Sequence, residues 1–138
     1  MVTVLVIDDN DSFRDVMRQI LERVGYQVVT AHNGQHGLEQ FRAQKSSQVV
    51  IDLVIVDLIM PEKDGLTLIR ELKVEAPHVP IIAITGGHLG FHPDFGLETA
   101  AANGAARTLR KPVLKHELLA AVESVLNQRG EDVAGGVN

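Results

Sequence analysis

Five short runs rich in β-branched residues, at 2–7, 27–31, 49–56, 79–84 and 106–110, alternate with stretches whose apolar residues recur every three to four positions. Such alternation predicts an α/β fold, a parallel sheet with helices on its faces. The first helical stretch carries Phe13, Val16, Met17, Ile20, Leu21 and Val24, with Asp11 placed to cap it and Gly25 to stop it. Asn33 is suited to cap a second helix bearing Leu38 and Phe41, and a third presents Leu66, Ile69 and Leu72 before Pro77. Residues 100–103, closed by Gly104, form a short fourth; Leu118, Leu119, Val122, Val125 and Leu126 mark a final amphipathic helix. From 130 to 138 the chain is Gly-rich and aperiodic, so the expected organisation is one domain over 1–127 and a flexible tail over 128–138.

Composition narrows the function classes. With 138 residues and 45% hydrophobic content the chain suffices for one packed core. It has no cysteine, which removes disulfides, thiolate metal sites and a Cys nucleophile, and makes the cytoplasm the expected compartment. No apolar run approaches the roughly 20 residues of a membrane span, so neither a signal peptide nor a membrane helix is expected. A net charge of −5, with no basic cluster longer than Arg110-Lys111, argues against nucleic-acid binding.

The strand ends carry the chemistry. In open parallel sheets the functional crevice lies beyond the carboxyl ends of the strands, where Asp8 and Asp9, Asp57, Thr85 and Lys111 all fall. One such Asp would be an ordinary turn or cap residue, Lys111 alone a surface lysine, and Thr85 alone a strand threonine. Together they are harder to dismiss. Carboxylates about 4 Å apart repel by roughly 4 kcal/mol per pair at an effective dielectric near 20, so the cluster calls for a cation. Mg²⁺ suits it, being held as a rule by one or two carboxylates together with phosphate oxygens. A carboxylate can also attack phosphorus to give an acyl phosphate if nearby cations neutralise the transferring group, and Lys111 is the candidate.

Over residues 2–127 the chain resembles a receiver domain of the two-component response-regulator family. The matching pieces are Val4-Leu5-Val6-Ile7-Asp8-Asp9, Asp57-Leu58-Ile59-Met60-Pro61 with Asp64-Gly65, Ile84-Thr85-Gly86 and Lys111-Pro112. The resemblance implies a flavodoxin-like (βα)5 three-layer sandwich with strand order 2-1-3-4-5. It also implies Asp57 as phosphoacceptor, Asp9 as direct and Asp8 as water-mediated ligand of Mg²⁺, and the Ile59 carbonyl as a further metal ligand. Lys111 would be the phosphoryl counterion, on a Lys111-Pro112 bond often cis in the family, and Thr85 the switch hydroxyl. The implied partners are a sensor histidine kinase or histidine phosphotransfer protein and a downstream protein target. A stand-alone regulator is the leading expectation; the receiver of a longer regulator is the alternative. Less favoured is a Mg-dependent aspartyl-phosphate phosphohydrolase, since Asp57 is followed by Leu58 and Ile59 rather than a second acid, and Asp11 suits a cap. A flavodoxin-like binder would want a Gly/Ser/Thr-rich phosphate cradle after the first strand instead of acids. As a receiver the chain would catalyse only its own phosphorylation and dephosphorylation.

Three features depart from the family pattern. Thr108 stands where many receivers carry a Tyr or Phe that swings inward on activation. The segment 86–96 is long and Gly-rich and holds Phe91 and Phe95, candidates to replace that ring, whereas His88 and His92 within it lack the helix that would let them share a metal. Ile59 and Gly87 occupy positions that tune access of water to the acyl phosphate, and neither side chain can orient a water. A persistent phosphorylated state is therefore expected. Ile59→Asn should shorten the phosphate-release half-life measured against wild type, and a lengthened half-life would contradict the reading.

Overall fold

The computed structural model describes residues 1–58, 64–86, 100–101 and 103–137, the last stretch from 129 onward by backbone alone. Its strands are β1 (Thr3–Ile7), β2 (Gln27–Ala31), β3 (Leu53–Asp57), β4 (Ile81–Thr85) and β5 (Arg107–Arg110). Its helices are α1 (Asp11–Arg23), α2 (Gly34–Ser46), α3 (Gly65–Glu75) and α4 (Lys115–Val137). All strand pairs are parallel, in the order β2-β1-β3-β4-β5, as expected from the sequence.

Alternation along the strands builds two cores. Val4, Val6, Leu53, Ile55, Ile82 and Ile84 face Met17 and Leu21 of α1 and Leu118, Val122 and Val125 of α4. Their neighbours Leu5, Ile7, Val54, Val56, Ile81 and Ala83 face Leu38 and Phe41 of α2, Leu68, Ile69 and Leu72 of α3, and Ala100. A sheet buried on both sides needs apolar residues at consecutive positions, which is why β1, β3 and β4 read as unbroken apolar runs.

Strand ends shift by one or two residues from the sequence reading at β1, β4 and β5, and three other boundaries differ for a local reason. Asn10, not Asp11, caps α1: it has the extended backbone and its side chain accepts from the Phe13 N–H, while Asp11 is the first helical residue. β3 begins at Leu53 rather than at 49, because Val49 donates its N–H to the Gln44 carbonyl in the turn that ends α2. Asp52 is engaged as well, accepting from the Thr3 N–H at 2.9 Å. The backbone of α4 continues to Val137, through the stretch read as a structureless tail. Extending an existing helix costs little per residue compared with starting one, and glycine weakens it by only about 1 kcal/mol each. Among the described side chains, the last of α4 to pack on the sheet is Leu126. Helix turn 100–101 is closed by Gly104 as read, with the Gly104 N–H donating to the Ala101 carbonyl.

The turn after α2 leaves Gln48 at φ 64°, left-handed backbone, where a side chain costs about 1 kcal/mol relative to glycine. Gln48 is exposed. Gln48→Gly should raise stability by about 0.5 kcal/mol once the greater freedom of the unfolded glycine chain is counted, read as an upward shift of the urea midpoint. An unchanged or lower midpoint would contradict this account of the turn.

Candidate functional site

Parallel pairing delivers the polar residues to one rim. Asp57 and Thr85 are the last residues of β3 and β4, while Asp8 and Lys111 directly follow β1 and β5. Backbone bonds continue the ladders past the strand ends: the Asp8 N–H donates to the Ala31 carbonyl, Leu58 N–H to Ile84, and Lys111 N–H to Thr85 at 2.8 Å. The sheet thus sets the backbone from which each side chain projects. Lys111-Pro112 is cis, as the resemblance implies.

Carboxylate oxygens of Asp8, Asp9 and Asp57 lie within 4.8 Å of one another. Asp8 and Asp57 are buried and Asp9 is exposed, so the cluster has a closed floor and an open mouth. The Lys111 ammonium donates to Asp57 Oδ2 at 3.1 Å and stands 3.2 Å from Asp8 Oδ2. That second approach is an ion pair without an aligned hydrogen bond. Among the described residues, Asp8 Oδ2 is a buried oxygen that accepts none. Burial, aided by the charge of Asp57, pushes the Asp8 carboxyl up from its ordinary value, against the opposing pull of the Asn10 N–H and Lys111. Burial would push the Lys111 ammonium down, but the carboxylates of Asp57 and Asp8 outweigh it and hold the group above its usual value. Three clustered carboxylates, two of them in contact with one ammonium and one oxygen accepting no hydrogen bond among the described residues, form a donor set that fits a divalent cation.

Residues to which the sequence reading assigned no role at the site hold this geometry. Asn10 donates its N–H to Asp8 Oδ1 at 2.8 Å. Arg14 donates to the Asp8 carbonyl oxygen at 2.7 Å and to Asp11 at 2.6 Å, fixing the turn between β1 and α1. At the acceptor strand, Gly65 lets α3 begin against the backbone of Asp57: a Cβ there would lie 2.4 Å from the Asp57 carbonyl oxygen and 2.6 Å from Leu58 Cα. Asp64, the cap of α3, keeps that helix start in place by accepting from the Thr67 N–H. The structure brings the carboxylates of Asp8, Asp9 and Asp57 and the Lys111 ammonium together, and places Thr85 on the same rim at the end of β4. Ile59, and Gly87, His88, Phe91, His92 and Phe95, lie outside the described residues. Thr108 is half-buried on β5, paired with Ala83.

Residues 4–123 match the response regulator receiver domain model. Two curated relatives cover most of this chain but about half of their own length. The alkaline phosphatase synthesis transcriptional regulatory protein PhoP of Bacillus subtilis is 30% identical over 91% of this chain and 48% of the relative. A probable transcriptional regulator ycf27 of Pyropia yezoensis is 39% identical over 91% of this chain and 47% of the relative. Among solved structures, a response regulator receiver domain protein from Clostridium thermocellum superposes with a TM-score of 0.82 at 34% identity, covering 94% of this chain and 98% of that one. Among the described residues no helix is long and apolar enough to cross a membrane. The rim of acids and lysine, the strand order and the match over 4–123 converge on one conclusion: the chain belongs to the response regulator receiver domain family.

Proposed function

We propose that the chain is a phosphorylation-switched relay in which Asp57 accepts a phosphoryl group from a histidine of a sensor kinase or phosphotransfer protein. The observation that carries this reading is the Lys111 ammonium held between Asp57 and Asp8 above a three-carboxylate cluster. An oxygen of Asp57 attacks phosphorus, the P–N bond to the donor imidazole breaks, the imidazole takes up a proton, and an acyl phosphate remains on Asp57. Asp8, Asp9 and Asp57 would hold Mg²⁺, the family resemblance adding the Ile59 carbonyl, and the bound ion would neutralise charge on the transferring phosphoryl oxygens. Lys111 follows that charge, trading carboxylate contacts for a phosphoryl oxygen without leaving its place at the end of β5. Thr85, whose carbonyl already binds the Lys111 N–H, is the hydroxyl that senses the new oxygens. The chain turns over no external ester on this reading, because its acyl phosphate is the signal.

A groove of ≈ 670 Å³ beside the site supports a protein as phosphodonor. Phe13, Val16, Pro112 and Val113 line it next to Lys111, and Val16 is 52% exposed. An apolar rim around a charged mouth suits a protein surface that must bring an imidazole to Asp57. Output then passes by protein contact to a downstream target in the cytoplasm, with neither nucleic acid nor membrane bound directly. A second reading has the same switch serve as the regulatory part of a longer regulator, and the relatives of about twice this length favour it. The length of the open reading frame separates the two.

Incubated with acetyl phosphate and Mg²⁺, the protein should gain the mass of one phosphoryl group per chain by intact-mass spectrometry, and Asp57→Asn should gain none. Labelling of the variant at the wild-type level would overturn the assignment. Asp8→Asn removes a buried charge that repels Asp57, so in EDTA it should melt a few degrees higher, about 1 kcal/mol, and lose most of the stabilisation that Mg²⁺ confers on wild type. Equal Mg²⁺-dependent shifts in the two proteins would exclude Asp8 from the metal site.

A further inference from the structure

The seat of the Lys111 ammonium has a third wall. Beyond Asp57 Oδ2 and Asp8 Oδ2, Nζ stands 4.3 Å from the centroid of the Phe13 ring, within the range where a cation and a ring face attract. Local structure places this ring. Phe13 lies in the first turn of α1 and its N–H donates to Asn10 Oδ1 at 2.9 Å, while the Asn10 N–H donates to Asp8 Oδ1 at 2.8 Å. One capping residue therefore ties both the ring and the buried acid to the same turn.

Resting on the reading of Lys111 as phosphoryl counterion, we propose that Phe13 is a positioning residue for phosphoryl transfer, its ring face holding the Lys111 ammonium beside Asp57 when a divalent cation shares the acids. The side chain of Lys111 is 25% exposed and sits on a flexible stem, so water is an open alternative for its charge. In the metal-free protein two carboxylates outbid water. A divalent cation competes for those same oxygens and repels the ammonium, which weakens both ion pairs at the moment phosphoryl transfer needs the lysine. Among the described residues, the ring is the one neighbour recorded in this seat that attracts the ammonium without offering an oxygen to the metal, so its pull survives. It also leaves the N–H groups on the far side of Nζ available to a phosphoryl oxygen. A purely packing role for Phe13 would be met as well by leucine; a π face would not.

The test uses the whole chain with Phe13→Leu and Phe13→Tyr. In divalent-free buffer the Lys111 ε-methylene protons of wild type should resonate upfield of those of the other lysines through the ring current, and this displacement should persist in the Tyr variant and vanish in the Leu variant. With acetyl phosphate and Mg²⁺, Phe13→Leu should be phosphorylated about three- to tenfold more slowly while Phe13→Tyr stays near wild type, calorimetric Mg²⁺ affinity being the same in all three. Absence of the upfield displacement in wild type would overturn the proposal without any variant, so it holds even if Phe13→Leu does not fold. Leu as fast as wild type, or Tyr as slow as Leu, would overturn it too. Should wild type acquire no phosphoryl group at all, the functional reading falls and takes this proposal with it; equal rates in wild type and Leu sink the proposal alone.

Discussion

One ammonium set against two buried carboxylates of a three-acid cluster, at the carboxyl edge of a parallel sheet, is the constraint around which this molecule is arranged. Asp8 is fully buried and, among the described residues, one of its oxygens accepts no hydrogen bond, an expense that folding alone would avoid. Everything nearby limits that expense or preserves it in a usable form. The Asn10 N–H satisfies the other oxygen, Arg14 pins the carbonyl, and Lys111 supplies the charge. These are the contacts of a site kept ready for a cation rather than of a neutralised core.

The sheet makes such a cluster affordable by dividing labour along its length. Behind the rim, both faces of β1, β3 and β4 are packed with aliphatic side chains, so the strand ends are rigidly placed relative to one another. Residues one step beyond a strand inherit that rigidity through continued backbone bonds, Asp8 to Ala31 and Lys111 to Thr85 among them. Gly65 extends the same logic to α3, whose first turn rests directly on the acceptor backbone.

Much of this was legible in the sequence, and the limits have physical causes. β-branched runs announce strands because a doubly buried strand has no polar face to interrupt them, and acids or a lysine at their ends stand out against that background. The choice between Asn10 and Asp11 as the cap was not legible: both side chains can accept from a helix N–H, and only the backbone conformation decides which one does. Val49 and Val50 read as strand because propensity counts side chains, whereas the α2 turn claims the Val49 N–H first. Arg14 and Phe13 gave no hint of their roles, since an arginine on a helix resembles a solvated charge and a phenylalanine at helical spacing resembles core. Their partners, the Asp8 carbonyl and the Lys111 ammonium, belong to other elements, and such meetings are fixed by tertiary packing.

The last helix begins shortly after Lys111, is anchored on the sheet through Leu118, Val122 and Val125, and runs on in backbone to Val137. That geometry is a lever with a short, gripped arm near the lysine and a long arm beyond the grip. With about 1.5 Å of rise per residue, the stretch beyond Val125 is about 18 Å long, so a tilt of about 10° at the grip sweeps the far end through about 3 Å. Displacements too small to disturb the sheet at its rim thus become displacements the size of a side chain at a point remote from it.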